Sequence, residues 1–168
     1  MLSYDVNSIV SKALLVDGLL AAEDPVWEEG DSRPAGTIRV SGRLSSAGAG
    51  RFYFSGHIQG TVTGECRRCL TDISASVTED VHLIFAEEGD EEADDPDIYR
   101  LDPRSPDLDL RPAIREQWLL AAPAFLQCRE DCKGLCPTCG ADLNLGACDC
   151  APATDGRWDA LRIARGDS

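Results

Sequence analysis

The spacing of apolar residues at the start of the chain predicts a helix over residues 5–22. Apolar side chains recur there at helical intervals, at Val6, Ile9, Val10, Ala13 and Leu14. Asp5 stands directly before them, where its carboxylate can cap the first turn, and Gly18 and the polar run over residues 24–36 end the pattern. We therefore expect an N-terminal helix before the first strand.

From Thr37 onward the apolar residues recur at every second position, which is typical of half-buried strands. Three long strands are predicted, over residues 37–44, 51–62 and 73–85. A glycine-rich turn at 47–50 joins the first two strands, and a corner at 66–69 leads to the third. Gly56 and Gly60 fall on the apolar parity, where a missing side chain indicates a bulge or strong curvature. The three strands predict an antiparallel meander whose apolar face must be covered.

The segment from Leu110 to Ala122 is predicted to be the helix that covers this sheet. Asp109 can cap its start, Pro112 suits its first turn, and Pro123 ends it. Its apolar stripe consists of Ile114, Trp118, Leu119 and Leu120.

Composition and charge place few limits on the partners of the chain. Of its 168 residues 43% are hydrophobic, and no apolar run is long enough to cross a bilayer, so we expect a soluble protein. The formal charge of −14 is unevenly distributed: residues 33–68 hold six arginines against one acid, whereas residues 87–97 hold eight acids and no base. That acidic run is predicted to be a solvated or disordered loop, and the basic region keeps a nucleic-acid partner possible.

The eight cysteines fall into four close pairs and none is left over. The pairs are Cys66 with Cys69, Cys128 with Cys132, Cys136 with Cys139, and Cys148 with Cys150. Structural Zn²⁺ takes four thiolates at about 2.3 Å, usually two from each of two tight turns, so four pairs match two zinc sites. Pro137 and Gly140 favour such a turn around Cys136 and Cys139.

Which pairs share a metal is an inference about space. One set can close locally and consists of Cys136, Cys139, Cys148 and Cys150, which we name the second cysteine set. The other four cysteines, Cys66, Cys69, Cys128 and Cys132, would then form the first cysteine set. This first set would clip the corner of the sheet to the chain that follows the covering helix. An alternative arrangement joins Cys132, Cys136, Cys139 and Cys150 and leaves Cys128 and Cys148 free.

Two other uses of the cysteines stay open. A disulfide framework is one, although the first eleven residues contain no Lys or Arg and do not resemble a secretory signal, which favours the reducing cytosol. A dithiol redox centre at 66–69 or 136–139 is the other. Neither set resembles a hydrolytic zinc site, because such a site keeps an open position beside a general base, and His57 and His82 stand in strand segments away from the cysteine clusters.

These elements predict an α+β fold, in which an antiparallel β meander or partly open barrel is covered by a helix and carries a C-terminal Cys-rich, zinc-stabilised tail. We expect a β-rich core over residues 1–126, including the covering helix and an acidic loop at 86–103. The zinc-binding tail over residues 127–168 is expected to pack on that core, with metal in place of a hydrophobic interior.

Three motifs resemble the YceD family, whose members are named for large ribosomal RNA subunit accumulation. They are Cys66-Arg67-Arg68-Cys69-Leu70, Asp131-Cys132-Lys133-Gly134-Leu135-Cys136-Pro137-Thr138-Cys139-Gly140, and Arg157-Trp158-Asp159-Ala160-Leu161. The resemblance implies a cytosolic bacterial factor, with plastid relatives, that large-subunit ribosomal RNA needs for its accumulation or processing. It implies no catalytic residue, and it implies that zinc in the tail serves stability.

We therefore expect a non-enzymatic, cytoplasmic factor for 23S ribosomal RNA accumulation and ribosome assembly, which binds ribosomal RNA or a large-subunit ribosomal protein. No membrane and no small-molecule substrate are expected. The candidate RNA-binding residues are Arg39, Arg43, Arg51, Tyr53, His57, Arg67 and Arg68. A plain solvated β face explains the same residues almost equally well. The alternatives are an acidic surface that holds a basic ribosomal protein, and an enzyme, either a CxxC redox enzyme or a nuclease.

Overall fold

The computed structural model describes residues 2–48, 50–87, 97–102 and 104–150, together with residues 157 and 164. Its elements follow in the order β1 (Ser3–Asp5), α1 (Val6–Ser11), β2 (Leu14–Ala21), β3 (Thr37–Gly48), β4 (Arg51–Glu65), β5 (Asp72–Ala86), β6 (Ile98–Arg100), β7 (Asp107–Asp109) and α2 (Arg111–Ala121). Residues 88–96, which form half of the expected acidic loop, and residues 158–161 of the family-like motif lie outside the described residues.

The main sheet has five strands in the order β2-β3-β4-β5-β6. Strand β3 pairs antiparallel with both β2 and β4, so that Val40 lies opposite Gly18 on one side and Ile58 on the other. Strand β6 joins the far edge parallel to β5, and β1 and β7 form a separate antiparallel pair. The predicted α+β fold with an open, mostly antiparallel sheet is confirmed, and β2 and β6 extend the expected meander at its two edges.

The predicted helix over residues 5–22 is wrong beyond its first turns, because β2 replaces its second half. Asp5 caps α1 as expected, since its carboxylate accepts the backbone N–H of Ser8 at 2.8 Å. Both faces of β2 are apolar: Val16 and Leu20 are buried, whereas Leu15 and Leu19 are exposed. These leucines on the outward side mask the period of two from which a strand is recognised.

The apolar parity of β3, β4 and β5 faces a core that α2 covers. Asp109 lies just before the N-cap residue Leu110 and accepts the backbone N–H of Arg111 at 3.0 Å, while Pro112 occupies the first turn as predicted. Of the predicted apolar stripe, Ile114 and Trp118 are buried, Leu119 is half-buried and Leu120 is exposed.

Two glycines of β4 lie where neighbouring atoms leave no room for a side chain. A Cβ atom at Gly60 would lie 2.7 Å from the indole of Trp118, whereas one at Gly56 would collide with the carbonyl oxygen of Ser41 on β3 and lie 2.8 Å from the ring of Phe54. The pairing of β3 with β4 continues through Gly56, and its register shift lies elsewhere, between Ser46 and Gly48. Close approach of the β3 backbone and of the Phe54 ring, rather than a bulge, therefore accounts for Gly56.

The loop between β2 and β3 is joined to α2 by side-chain contacts. The guanidinium of Arg115 donates two hydrogen bonds to the carboxylate of Asp31, from Nε at 2.7 Å and from Nη2 at 2.9 Å. The indole N–H of Trp118 donates to the carbonyl oxygen of Ser32 at 2.8 Å. This forked pairing fixes the loop more specifically than a single contact would.

The chain divides into two compact units. One comprises Met1–Gly64 and Ser74–Ala124, and the other Glu65–Ile73 and Phe125–Ser168. The second unit thus includes the corner at 65–73 together with the Cys-rich tail. The expected domain boundary at residue 127 and the packing of the tail on the core stay predictions. In the described part of the chain, no helix combines the length and apolar character that a membrane span requires.

Candidate metal centres and outer sheet face

The first cysteine set, Cys66, Cys69, Cys128 and Cys132, forms a sulfur cluster within the second unit. Its four Sγ atoms lie within 4.8 Å of one another. The Sγ atoms of Cys66 and Cys132 are 3.9 Å apart, and those of Cys69 and Cys128 are 3.7 Å apart. A sulfur tetrahedron around Zn²⁺ has edges of about 3.8 Å when each Zn–S bond is about 2.3 Å. This cluster can therefore hold a metal ion.

The backbone around Cys66 builds one half of that cluster. The turn closes when the N–H of Cys66 donates to the carbonyl of Thr71 at 2.8 Å and the N–H of Leu70 donates to the carbonyl of Cys66 at 2.9 Å. The turn requires a φ of 58° at Leu70, in the left-handed region that is unfavourable for a residue with a side chain. The N–H of Cys128 points at Cys66 Sγ at 3.4 Å, which brings the tail to the corner.

The second cysteine set, Cys136, Cys139, Cys148 and Cys150, forms another cluster with all Sγ atoms within 4.8 Å. Its turn is closed by hydrogen bonds from Gly140 N–H to Cys136 O at 2.9 Å and from Cys136 N–H to Ala141 O at 2.8 Å. Gly140 has the expected positive φ, 73°. The structure thus groups the cysteines in the locally closed arrangement, and all eight are free of disulfides.

Backbone donors and burial set the protonation of the thiols. The N–H groups of Arg68 and Cys128 lower the pKa of Cys66 to about 6, and those of Cys139 and Thr138 lower the pKa of Cys136 to about 6. Burial raises the pKa of Cys128 to about 12. The first cluster therefore combines a thiolate that attracts a cation with a thiol that must lose its proton when the cation binds.

The donor chemistry of both clusters suits a structural metal. Each offers four sulfurs, and neither cluster includes a histidine or carboxylate among the described residues. Four sulfur donors complete a tetrahedral shell and leave no position for a reacting water. The arrangement can tie chain segments together, and it does not supply a hydrolytic centre.

Asn144 is a residue of the second unit that sequence analysis missed. Its side-chain Nδ2 donates to Cys132 Sγ at 3.5 Å, and its Oδ1 accepts the backbone N–H of Lys133 at 2.8 Å. The only local signal is an Asn in a turn after Asp142, whose carboxylate accepts the N–H of Asn144 at 2.8 Å. Its contact with the first set depends on the tertiary fold.

The outer face of the sheet carries five of the seven candidate RNA-binding residues. We use this name for the exposed side of β2–β5 that bears Leu15, Asp17, Arg39, Arg43, Arg51, Tyr53, His57, Asp80 and His82. Arg39 donates to Asp17 at 3.2 Å, and His57 forms a short hydrogen bond with Asp80. The hydroxyl of Tyr53 is bonded to His82 Nδ1 at 2.8 Å with the rings nearly parallel.

Arg43 lies at a shallow cavity of about 380 Å³ on this face, which His57 and His82 also line. The structure shows no hydrogen bond or ion pair to the Arg43 side chain within the described residues. Sequence analysis considered His82 only as a zinc ligand and missed its contact with Tyr53, although neighbouring strands allow such a cross-strand contact.

The remaining candidates, Arg67 and Arg68, lie in the second unit on the turn of the first cysteine set. The guanidinium of Arg67 donates to Gln127 Oε1 at 3.4 Å, and the carbonyl of Arg68 accepts the N–H of Leu135 at 2.9 Å. Both side chains are exposed. The seven candidates therefore belong to two separate groups, one in each unit.

Comparison with known proteins points to one family. The family model described as "Large ribosomal RNA subunit accumulation protein YceD" matches residues 54–163. An uncharacterized protein of Mycobacterium tuberculosis is 30% identical over 110 residues, which are 64% of this chain and 52% of that protein, and an uncharacterized protein of Mycobacterium bovis gives the same values.

A plant protein is also similar. The Zea mays protein named "Large ribosomal RNA subunit accumulation protein YCED homolog 1, chloroplastic" is 27% identical over 132 residues, which are 61% of this chain and 45% of that protein. The chain thus spans about half the length of the curated relatives it matches. No solved structure matches the chain.

Proposed function

The chain belongs to the YceD family of large ribosomal RNA subunit accumulation proteins, and on that premise we propose that it is a non-enzymatic factor for 23S ribosomal RNA accumulation or processing and for ribosome assembly. It acts in the cytoplasm and binds ribosomal RNA or a large-subunit ribosomal protein. It has no membrane partner and no small-molecule substrate.

The observation that supports RNA binding most directly is the exposed side chain of Arg43, whereas Arg39 and His57 on the same face are paired with carboxylates. Asp17 compensates Arg39, and Asp80 occupies one nitrogen of His57, so neither is fully available to a phosphate. Arg43 is exposed and has no such partner among the residues that the structure describes. We therefore rank Arg43 above Arg39 and His57 as a phosphate contact.

Tyr53 provides the second half of an RNA contact. Arg43 pairs with Ser55 on the neighbouring strand, and Tyr53 is two residues from Ser55 along that strand. Tyr53 therefore lies on the same face as Arg43, as its diagonal neighbour. Such diagonal neighbours lie about 7–8 Å apart. With 36% of its surface exposed, Tyr53 can stack an unpaired base while Arg43 contacts a phosphate.

We further propose that both cysteine sets bind Zn²⁺, which makes two zinc ions per chain. The sulfur separations fit a tetrahedral zinc shell, and the four-sulfur donor sets exclude the usual ligands of Mg²⁺ or Ca²⁺. When bound, zinc joins the corner at 65–73 to the tail and closes the tail on itself. Its role is to stabilise the second unit.

A salt series of RNA binding tests the outer face. We expect Arg43→Gln to weaken binding to labelled 23S ribosomal RNA fragments and to lower the slope of log affinity against log salt by about one, the value for one lost phosphate contact. Arg104→Gln is the matched control, because Arg104 is exposed and lies outside the outer face. Arg39→Gln should have a smaller effect than Arg43→Gln.

An Arg43→Gln protein that folds normally and keeps both its affinity and its slope would reject the outer face as the RNA site. Capture of a ribosomal protein that persists after ribonuclease treatment would favour a protein partner instead. Turnover of RNA or of a disulfide substrate by the purified protein would contradict the non-enzymatic assignment.

A further inference from the structure

The two cysteine sets share one short piece of backbone. Cys132 belongs to the first set and Cys136 to the second, and only three residues separate them. Within this spacer, Leu135 N–H donates to Arg68 O at 2.9 Å, which is on the side of the first set. Gly134 O accepts the N–H of Leu143 at 2.9 Å, which is on the side of the second.

Asn144 connects the sets a second time, through its side chain. It lies on the loop between Cys139 and Cys148, so both ends of its loop are ligands of the second set. Its amide nevertheless donates to Cys132 Sγ, a ligand of the first set, at 3.5 Å. The same amide is oriented by Asp142, whose Oδ1 accepts from Nδ2 at 2.7 Å.

We propose that the two metal centres are coupled, and that metal in the second set strengthens metal binding by the first set through Asn144. This inference rests on the proposal that both sets bind metal. The physical reason is loop closure. When the second set holds a metal, Cys139 and Cys148 are fixed and the loop between them presents the Asn144 amide to Cys132.

The N–H···S contact stabilises the negative charge on a ligating thiolate. Loss of such an outer contact typically lowers metal affinity by 10–100-fold, and because a single neutral amide donates here, at 3.5 Å, we expect an effect near tenfold. Coupling between two binding sites is reciprocal, so emptying the first set should weaken the second by the same factor.

The test compares the affinity of the first set for Co²⁺ with the second set intact and disrupted. Cobalt bound to four thiolates is coloured, so competition with a chelator follows the occupancy of both sets, and cysteine variants that keep only one set assign each transition to its set. We expect Asn144→Ala to raise the dissociation constant of the first set about tenfold. Leu145→Ala is the matched control, because Leu145 lies on the same loop and is 89% exposed.

The double variant Cys148→Ser/Cys150→Ser removes two ligands of the second set. It should raise the dissociation constant of the first set by at least as much as Asn144→Ala does. Adding Asn144→Ala to this background should then change little, because the loop no longer presents the amide. Asn144→Asp keeps the shape of the side chain but removes the N–H donor. Its first set should therefore bind Co²⁺ more weakly than the first set of the wild type does.

Three results separate the possible failures. If the dissociation constant of the first set is unchanged in Cys148→Ser/Cys150→Ser, the coupling is overturned. An equal tenfold effect of Asn144→Ala in both backgrounds would mean that Asn144 acts on Cys132 without the second set, which also overturns it. A wild-type chain that binds neither Co²⁺ nor Zn²⁺ would instead reject the proposed metal sites themselves.

Discussion

Replacing Gly134 with alanine should weaken metal binding more than the same change at two other glycines of the tail. Gly134 lies in the spacer between Cys132 and Cys136 and has a φ of 77°, in the left-handed region. A Cβ there would lie 2.8 Å from the carbonyl oxygen of Arg68. That oxygen is a backbone atom held by a hydrogen bond from Leu135, so it cannot move aside cheaply.

The expected magnitude has two parts. A non-glycine residue in the left-handed region costs about 1–2 kcal/mol, and overpacking against an atom that cannot yield costs about 1–3 kcal/mol. The sum is about 2–5 kcal/mol. Because folding of such a metal-bound segment is linked to metal binding, and each 1.4 kcal/mol is about a tenfold change, the apparent zinc affinity should fall about 30-fold or more.

Two matched substitutions separate the two parts. Gly140 also has a left-handed φ, 73°, but nothing lies within 4 Å of its added Cβ. Gly140→Ala should therefore lower the apparent zinc affinity by only about 5- to 30-fold. Gly146 has no left-handed φ and equally open surroundings, so Gly146→Ala should be neutral. Zinc competition with a chelator measures all three. A loss at Gly140 equal to that at Gly134, or any clear loss at Gly146, would refute the reasoning.

Three further predictions concern the first unit and the cell. Gly60→Ala should lower the free energy of unfolding, measured by denaturant unfolding, by about 1–3 kcal/mol, because its Cβ would lie 2.7 Å from the Trp118 ring. If Gly60→Ala costs as much stability in a Trp118→Phe background as in the wild type, the clash is contradicted. The hydrogen bonds from Arg115 lower the pKa of Asp31, so the stability this carboxylate contributes is complete above its unfolded pKa and is lost as the pH falls toward the folded value. Asp31→Asn should therefore be less stable than wild type at pH 7, and the gap should narrow below about pH 4 in thermal melts, whereas a constant gap would exclude this linkage. Deletion of the gene should lower the ratio of large- to small-subunit ribosomal RNA, and an unchanged ratio under slow and fast growth would argue against the ribosomal role.

Local pattern was sufficient for the elements whose two faces differ in polarity. Strands β3 to β5 alternate clearly, and α2 has a proline in its first turn and a buried stripe, so both were predicted close to their observed bounds. Strand β2 escaped because its outward leucines, Leu15 and Leu19, removed the contrast between its faces. Strand β6 has only three residues, which is too short for any periodicity.

The sequence by itself determined the pairs of cysteines and the side of the sheet on which Arg39, Arg43 and Arg51 stand. Both are local properties, since two cysteines separated by one to three residues can share a turn, and strand parity repeats every two residues. Only the tertiary structure decided that Cys66 meets Cys132 across 66 positions, that Asn144 contacts Cys132, and that Asp17 pairs with Arg39 while Arg43 has no partner in the described chain. These contacts depend on strand register and chain return, which bring distant residues together and leave no mark in the spacing of neighbouring residues.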